Sequence, residues 1–257
     1  MYRQIVAADF RKHFDLPVNY KIAGFLCHGT WKREDEIENL KKVLKELKLD
    51  FKIKPLSGFL QRMVEFEIEG KKYWFDIPYG GAMLSEFLHV ACLFGSQKNI
   101  LIGTCGGLST QIESCDCIVP TWTYGDESST RLYSEDVKDN HHFPDKNLSA
   151  TLKNIIPKDI KIWEGPTVTC QAMLGESLEN VMSWSKEGYL GVEMEASTVF
   201  AVSNHFNIPS AALLVVGDNL IKEETVLHEN YQKQSEHRYE VRREILKVAV
   251  EELISSF

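Results

Sequence analysis

The chain has no apolar run approaching the ~18 residues that a bilayer-spanning helix needs, and its start, MYRQIVAADFRKHF, lacks the apolar core of a signal peptide. The expectation is a soluble, cytoplasmic protein. Basic charge is scarce as well. Lys and Arg number 29 against 37 Asp and Glu, a formal net charge of −8, with no basic run. This disfavours nucleic acid and anionic membranes as partners but leaves room for a small anion bound locally. No Pro, Gly or Ser tract offers a boundary and no internal repeat is visible, so residues 1–257 are expected to form one domain. Cys27, Cys92, Cys105, Cys115, Cys117 and Cys170 include no CxxC pair and read as reduced core or loop thiols. Cys115 and Cys117 form a CxC that could bind metal or oxidise, but no second ligand pair has matching spacing.

What the chain does have is a hydrophobic content of 44%, enough for a large core. The most informative stretch is 188–219, GYLGVEMEASTVFAVSNHFNIPSAALLVVGDN. Val192, Ala196, Val199, Phe200 and Phe206 fall at helical spacings, and Asn207, Ile208 and Pro209 break the helix. Ala211 to Val216 then forms an unbroken apolar run, the mark of a parallel strand covered on both faces, and it ends at Gly217, Asp218 and Asn219. Ligands of open α/β sheets bind at that strand end.

Elsewhere the pattern predicts a strand over Tyr20 to Cys27, a helix over Trp31 to Leu47 capped by Thr30, and a hairpin over Met63 to Ile77. A helix over Ala82 to Phe94 and a short strand over Ile100 to Ile102 follow, the latter ending in the glycine-rich Gly103 to Gly107. Strands are expected over Cys117 to Tyr124 and Ile162 to Thr169, with a polar irregular loop over Gly125 to Asn147 and a helix over Leu148 to Ile155 between them. One long amphipathic helix over His228 to Ile254 closes the chain and is expected to pack on the sheet.

Three places invite chemistry from the residues alone. The junction His28, Gly29, Thr30 lies between a strand end and a helix start, where backbone N–H groups and the helix dipole favour an anion. Arg33 sits in that first turn, as an anion ligand or as a solvated surface charge. The loop Gly103 to Gly107 can wrap an anion or a flat ring. Adjacent His141 and His142 suggest a metal, but neighbouring histidines point apart, and a mobile loop is the competing reading.

The run Gly191, Val192, Glu193, Met194, Glu195, Ala196, followed by Val215, Val216, Gly217, Asp218, Asn219, resembles the signature of the nucleoside phosphorylase superfamily, which includes purine nucleoside and uridine phosphorylases. The resemblance spans about 19–219. It implies an α/β, single-domain, three-layer αβα fold around a central mixed, largely parallel twisted sheet. It implies phosphate binding by Gly29, Arg33 and Thr104, and base contacts by Cys105, Gly106 and Thr169. Met194 and Glu195 would hold the ribose, with His13 entering from a neighbouring subunit or standing as an exposed N-terminal histidine; Arg62 is a second candidate to enter a neighbour.

Asp218 would be the general acid to a purine ring nitrogen, against the alternative of a loop aspartate capping a turn. Glu193 and Glu195, placed on one helix, would lie 200° apart, so only Glu195 is expected at the ligand; without the resemblance both read as first-turn acids favoured by the dipole. Two departures stand out. Gly217 replaces the usual serine, and Leu101 occupies the place of a phosphate-binding arginine. No metal or cofactor is implied beyond phosphate as co-substrate, and the partners implied are a nucleoside, phosphate and further copies of the chain, as a dimer or trimer of dimers. Three activities compete: purine-leaning phosphorolysis, hydrolysis on the same scaffold, as Leu101 suggests, and non-catalytic nucleoside binding.

Overall fold

The computed structural model describes residues 2–134 and 139–255. The first half of the chain runs α1 (Ala7–His13), β1 (Gly24–Gly29), α2 (Arg33–Glu46), β2 (Phe51–Pro55), β3 (Val64–Ile68), β4 (Lys71–Asp76), α3 (Gly81–Leu93) and β5 (Asn99–Gly107). The second runs β6 (Cys117–Tyr124), α4 (Ser128–Arg131), β7 (His141–His142), α5 (Lys146–Ile155), β8 (Ile162–Thr169), α6 (Leu178–Lys186), β9 (Gly191–Glu193), α7 (Ala196–His205), β10 (Ser210–Asn219), α8 (Glu229–Lys233) and α9 (Ser235–Ile254).

All the strands join one mixed sheet. At its centre β4, β1, β5 and β10 run parallel, so their carboxyl ends open on the same edge. The antiparallel β2–β3–β4 meander extends one side. On the other side β10 pairs with β6, β6 with β8, β8 with β9 and β9 back with β5, which closes these five strands into a ring. Helices cover both faces. One core cluster joins Leu26, Ile102 and Leu213 to Leu40 and Val43 of α2 and Ile245 and Val248 of α9. The other joins Phe25, Leu101 and Leu214 to Leu88 of α3 and Phe200 of α7. Alternate strand residues feed opposite clusters, as the pleat demands. Each large side chain so buried contributes about 1.5–3 kcal/mol relative to exposure.

Several expected boundaries shift for identifiable reasons. Tyr20 and Ile22 are buried but precede β1; the Tyr20 hydroxyl donates to Glu65 and accepts from Trp74 Nε1, so burial there comes from a side-chain network and not a ladder. Helix α2 starts at Arg33 with Lys32 as its cap; Thr30 only accepts a long 3.4 Å bond from the Lys32 amide. The glycine-rich Gly103 to Gly107 is strand, because β10 and β9 both pair with it. The helix expected from 188 is instead β9 followed by α7, so Glu193 ends a strand and Glu195 is the residue before the helix. The closing helix is broken at Gln234 into α8 and α9. The loop expected over 125–147 carries α4 and β7, with 135–138 outside the described residues; β6 and β8 have the expected bounds. No described helix is long and apolar enough to cross a membrane.

Candidate active site

The carboxyl ends of β1, β5 and β10 open into a cavity of about 570 Å³, walled by the β9–α7 junction and the start of α9. Of the residues singled out from the sequence, Gly29, Thr104, Cys105, Gly106, Met194, Glu195, Gly217 and Asp218 line it, and so does Glu193, which was expected to face away from the ligand. Arg33, Thr169 and His13 do not. Arg33 turns away, its Nε donating to the Arg62 carbonyl at 2.9 Å and one terminal nitrogen pairing with Glu34 at 2.8 Å. Thr169 lies one layer behind, where its hydroxyl donates to Glu193 at 2.5 Å and accepts from the Ser197 amide at 3.0 Å. His13 is exposed at the end of α1 with its ring against Phe14.

The β9–α7 junction divides labour between its two glutamates. Glu193 Oε2 accepts from the amides of Glu195 at 2.7 Å and Ala196 at 2.6 Å, so its carboxyl satisfies N–H groups that the start of α7 leaves open. Glu195 is thereby free to face the cavity, with Oε1 accepting from the Gly80 amide at 2.6 Å. A side-chain carbon on Gly29 would meet Glu195 Cδ at 2.9 Å, so only glycine lets the end of β1 approach this closely. Burial raises the pKa of both glutamates, and Glu193's charge raises Glu195 further.

Asp218 follows a bulge in β10 that sets it opposite Gly106. Burial pushes its carboxyl up to about 6, with the nearby Arg238 working the other way. The bulge also explains Gly217: a side-chain carbon there would meet Thr104 Cγ2 at 2.6 Å, so the threonine methyl occupies the space a serine would need. Glu176, from the segment before α6, lines the same cavity, and burial and Asp218's charge raise it to about 7. Trp31 and Tyr79 stack at the rim, 6.3 Å apart. Neither Glu176 nor the arginines of α9 could be picked from the sequence, because isolated charges in polar segments carry no spacing that points to a cleft. The strand-to-helix turn is less free than expected, since the Thr30 amide already donates to the Pro78 carbonyl at 2.9 Å. His141 and His142 are held by Asp139 and the Gly125 carbonyl. Among the described residues no cluster of three or more His, Cys, Asp or Glu is placed to hold a metal.

Asp76, the last residue of β4, is fully buried and makes no well-formed side-chain hydrogen bond among the described residues. Burial raises it to about 7, against the charge of Arg62. A carboxyl whose folded pKa is raised adds no instability below its unfolded value near 4 and costs stability as pH rises through about 7. The advantage of Asp76→Asn over the wild type in urea unfolding is therefore expected to grow by roughly 1–3 kcal/mol between pH 5 and pH 8. The same difference at both pH values would show that Asp76 holds no proton in the folded state.

The family model of the phosphorylase superfamily matches residues 75–253. Guanosine phosphorylase of Halorubrum lacusprofundi is 32% identical over 128 residues, covering 49% of this chain and 52% of that one. A DeoD-type purine nucleoside phosphorylase of Clostridium beijerinckii is 28% identical over 148 residues, covering 54% and 59%. The chain thus spans little more than half the length of these curated relatives. In structure, uridine phosphorylase of Vibrio fischeri aligns over 90% of this chain and 91% of its own with a TM-score of 0.73 at 16% identity. A mutant of Helicobacter pylori MTAN with 5′-methylthioadenosine in its active site aligns with a TM-score of 0.65 at 19% identity, over 91% and 97%. At these identities the likeness shows the fold.

Proposed function

Since the chain belongs to the phosphorylase superfamily, we propose that it is a pentosyltransferase that cleaves the N-glycosidic bond of nucleosides, purine nucleosides foremost, passing the sugar to inorganic phosphate. The products are free base and (deoxy)ribose 1-phosphate. The observation that carries this reading is the convergence of Glu195, Asp218, Gly29 and Thr104 on one cavity. Breaking the bond builds positive charge on the sugar and negative charge on the base. Glu195 accepts hydrogen bonds from sugar hydroxyls while Met194 packs on the ring. Asp218, poised at about 6, protonates the purine as the bond lengthens. Cys105 and Gly106 floor the base; phosphate lies against Gly29 and Thr104, captures the cationic sugar, and gains Arg33 only if that side chain leaves the carbonyls it now binds. Thr169 does not reach the base; the hold of its hydroxyl on Glu193 supports the junction that places Glu195 at the sugar. His13 or Arg62 would complete a neighbour's cavity in a homo-oligomer, and a monomer at micromolar concentration by sedimentation would remove that part.

Base release is expected to rise and saturate with phosphate concentration. Hydrolysis is the second reading, favoured by the lack of an arginine at position 101 and the outward turn of Arg33; it predicts release indifferent to phosphate. Leu101 itself is fully buried in the core beside Cys27 and Ala212 and does not line the cavity. Leu101→Arg, which from sequence would tighten phosphate if the side chain pointed into the site, is accordingly expected to destabilise the fold by about 2 kcal/mol or more without tightening phosphate. Urea unfolding and the phosphate KM together check this; a stable variant with lower phosphate KM would refute it.

A further inference from the structure

Gln171 lies two residues past the end of β8 and does not line the cavity, yet its amide is engaged at both ends. Oε1 accepts from the Gly81 amide at 2.8 Å, and Nε2 donates to the Met194 carbonyl at 2.8 Å. The partners settle which end is which, because an N–H faces one and a carbonyl the other. A side-chain carbon on Gly80 would meet Gln171 Oε1 at 2.9 Å, and one on Gly81 would meet Nε2 at 3.1 Å, so both glycines make room for this amide. Burial raises the Glu127 carboxyl, while hydrogen bonds from the Ser197 hydroxyl and the Gln171 amide work the other way.

These bonds bear on Glu195 at both ends of its side chain. At the tip, Glu195 Oε1 accepts from the Gly80 amide at 2.6 Å. Only the φ and ψ of Gly80 separate that amide from the Gly81 amide, so a hold on Gly81 limits where the Gly80 N–H can point. At the root, the Met194 carbonyl and the Glu195 amide belong to one planar peptide. Its N–H donates to Glu193 Oε2 at 2.7 Å and its C=O accepts from Gln171, which pins the plane from both edges. Gln171 thereby ties the turn before α3 to the β9–α7 junction, two segments from opposite halves of the chain. We propose that Gln171 is a positioning residue for the reaction, setting the aim of the Glu195 carboxyl on the sugar from both ends. This rests on the reading that Glu195 meets the sugar, and it holds whether phosphate or water takes the sugar. A slightly displaced carboxyl still meets the neutral sugar of the ground state but loses more as positive charge grows, so the cost falls on kcat.

The test is steady-state kinetics on a purine nucleoside for Gln171→Met and Gln171→Glu, each made alone and in the Glu195→Gln background. Gln171→Met keeps the length of the side chain and loses both hydrogen bonds, while Gln171→Glu keeps an acceptor for Gly81 and turns a second acceptor toward the Met194 carbonyl. Gln171→Met is expected to lower kcat about tenfold or more with the nucleoside KM within about threefold, and Gln171→Glu to lower kcat in the same way. In the Glu195→Gln background either change should cost less than about twofold, since a residue that acts through the Glu195 charge has little left to act on. Melting temperatures are read alongside; should Gln171→Met fail to fold, Gln171→Glu carries the decision. An unchanged kcat, or the same fold-loss in both backgrounds, overturns the positioning role and leaves Glu195 at the sugar. Near wild-type turnover by Glu195→Gln alone overturns both.

Discussion

Asp218→Asn is expected to lower kcat/KM for purine nucleosides by roughly 10²–10⁴-fold and to spare substrates whose leaving group needs no proton. The basis is positional: Asp218 sits past the β10 bulge at the cavity wall, where burial raises its carboxyl to about 6. An acid with that pKa is protonated in a growing fraction as pH falls. The wild-type rate on purine nucleosides should therefore decline as pH rises above about 6, and the asparagine variant should lose that limb, since its amide does not titrate. Equal losses on both substrate kinds, with the pH limb intact, would make Asp218 a structural residue.

Glu195→Gln is expected to reduce kcat/KM on every nucleoside by about 2–4 kcal/mol of transition-state stabilisation while the protein still folds. The amide oxygen of glutamine can still accept from the Gly80 amide, which is the contact that positions this side chain. What it loses is the ability to ionise, and with it an attraction that grows as the sugar becomes cationic. Glu193→Gln should behave differently, because both Glu193 carboxyl oxygens are already taken, one by two backbone amides at the start of α7 and the other by the Thr169 hydroxyl. Its loss should appear in thermal stability as well as in rate. Near wild-type turnover by Glu195→Gln would remove Glu195 from the mechanism.

The parts of this site that were legible in the sequence are those carried by local pattern. The apolar run of β10 ending at Asp218 announced both a buried strand and a polar group at its carboxyl end, and the glycines of β5 announced a close approach. The GVEMEA run pointed to Glu195 through resemblance, but helical periodicity misled about its backbone. Val192 fits a helical stripe and also a short strand, and only the pairing of Val192 with Gly106 and Val168 decides between them. Glu193 lines the cavity as Glu195 does, and what gives the two different partners is a strand-to-helix junction and not the 200° between them on one helix. Arg238 and Arg242 were hidden for the opposite reason. In a polar amphipathic helix they look like surface charge, and they reach the cavity only because α9 runs back along β1, β5 and β10 with its first turn at the strand ends. Glu176 likewise depends on the approach of a segment far from Asp218 in the chain.

Phosphorolysis itself is tested most directly by the fate of the sugar. With a purine nucleoside and inorganic phosphate, ³¹P spectra of the reaction should show a pentose 1-phosphate appearing in a one-to-one ratio with free base, and the signal should be absent in Asp218→Asn at matched times. Free base accompanied by unphosphorylated pentose, at a rate that ignores phosphate, would contradict it and make the protein a nucleosidase.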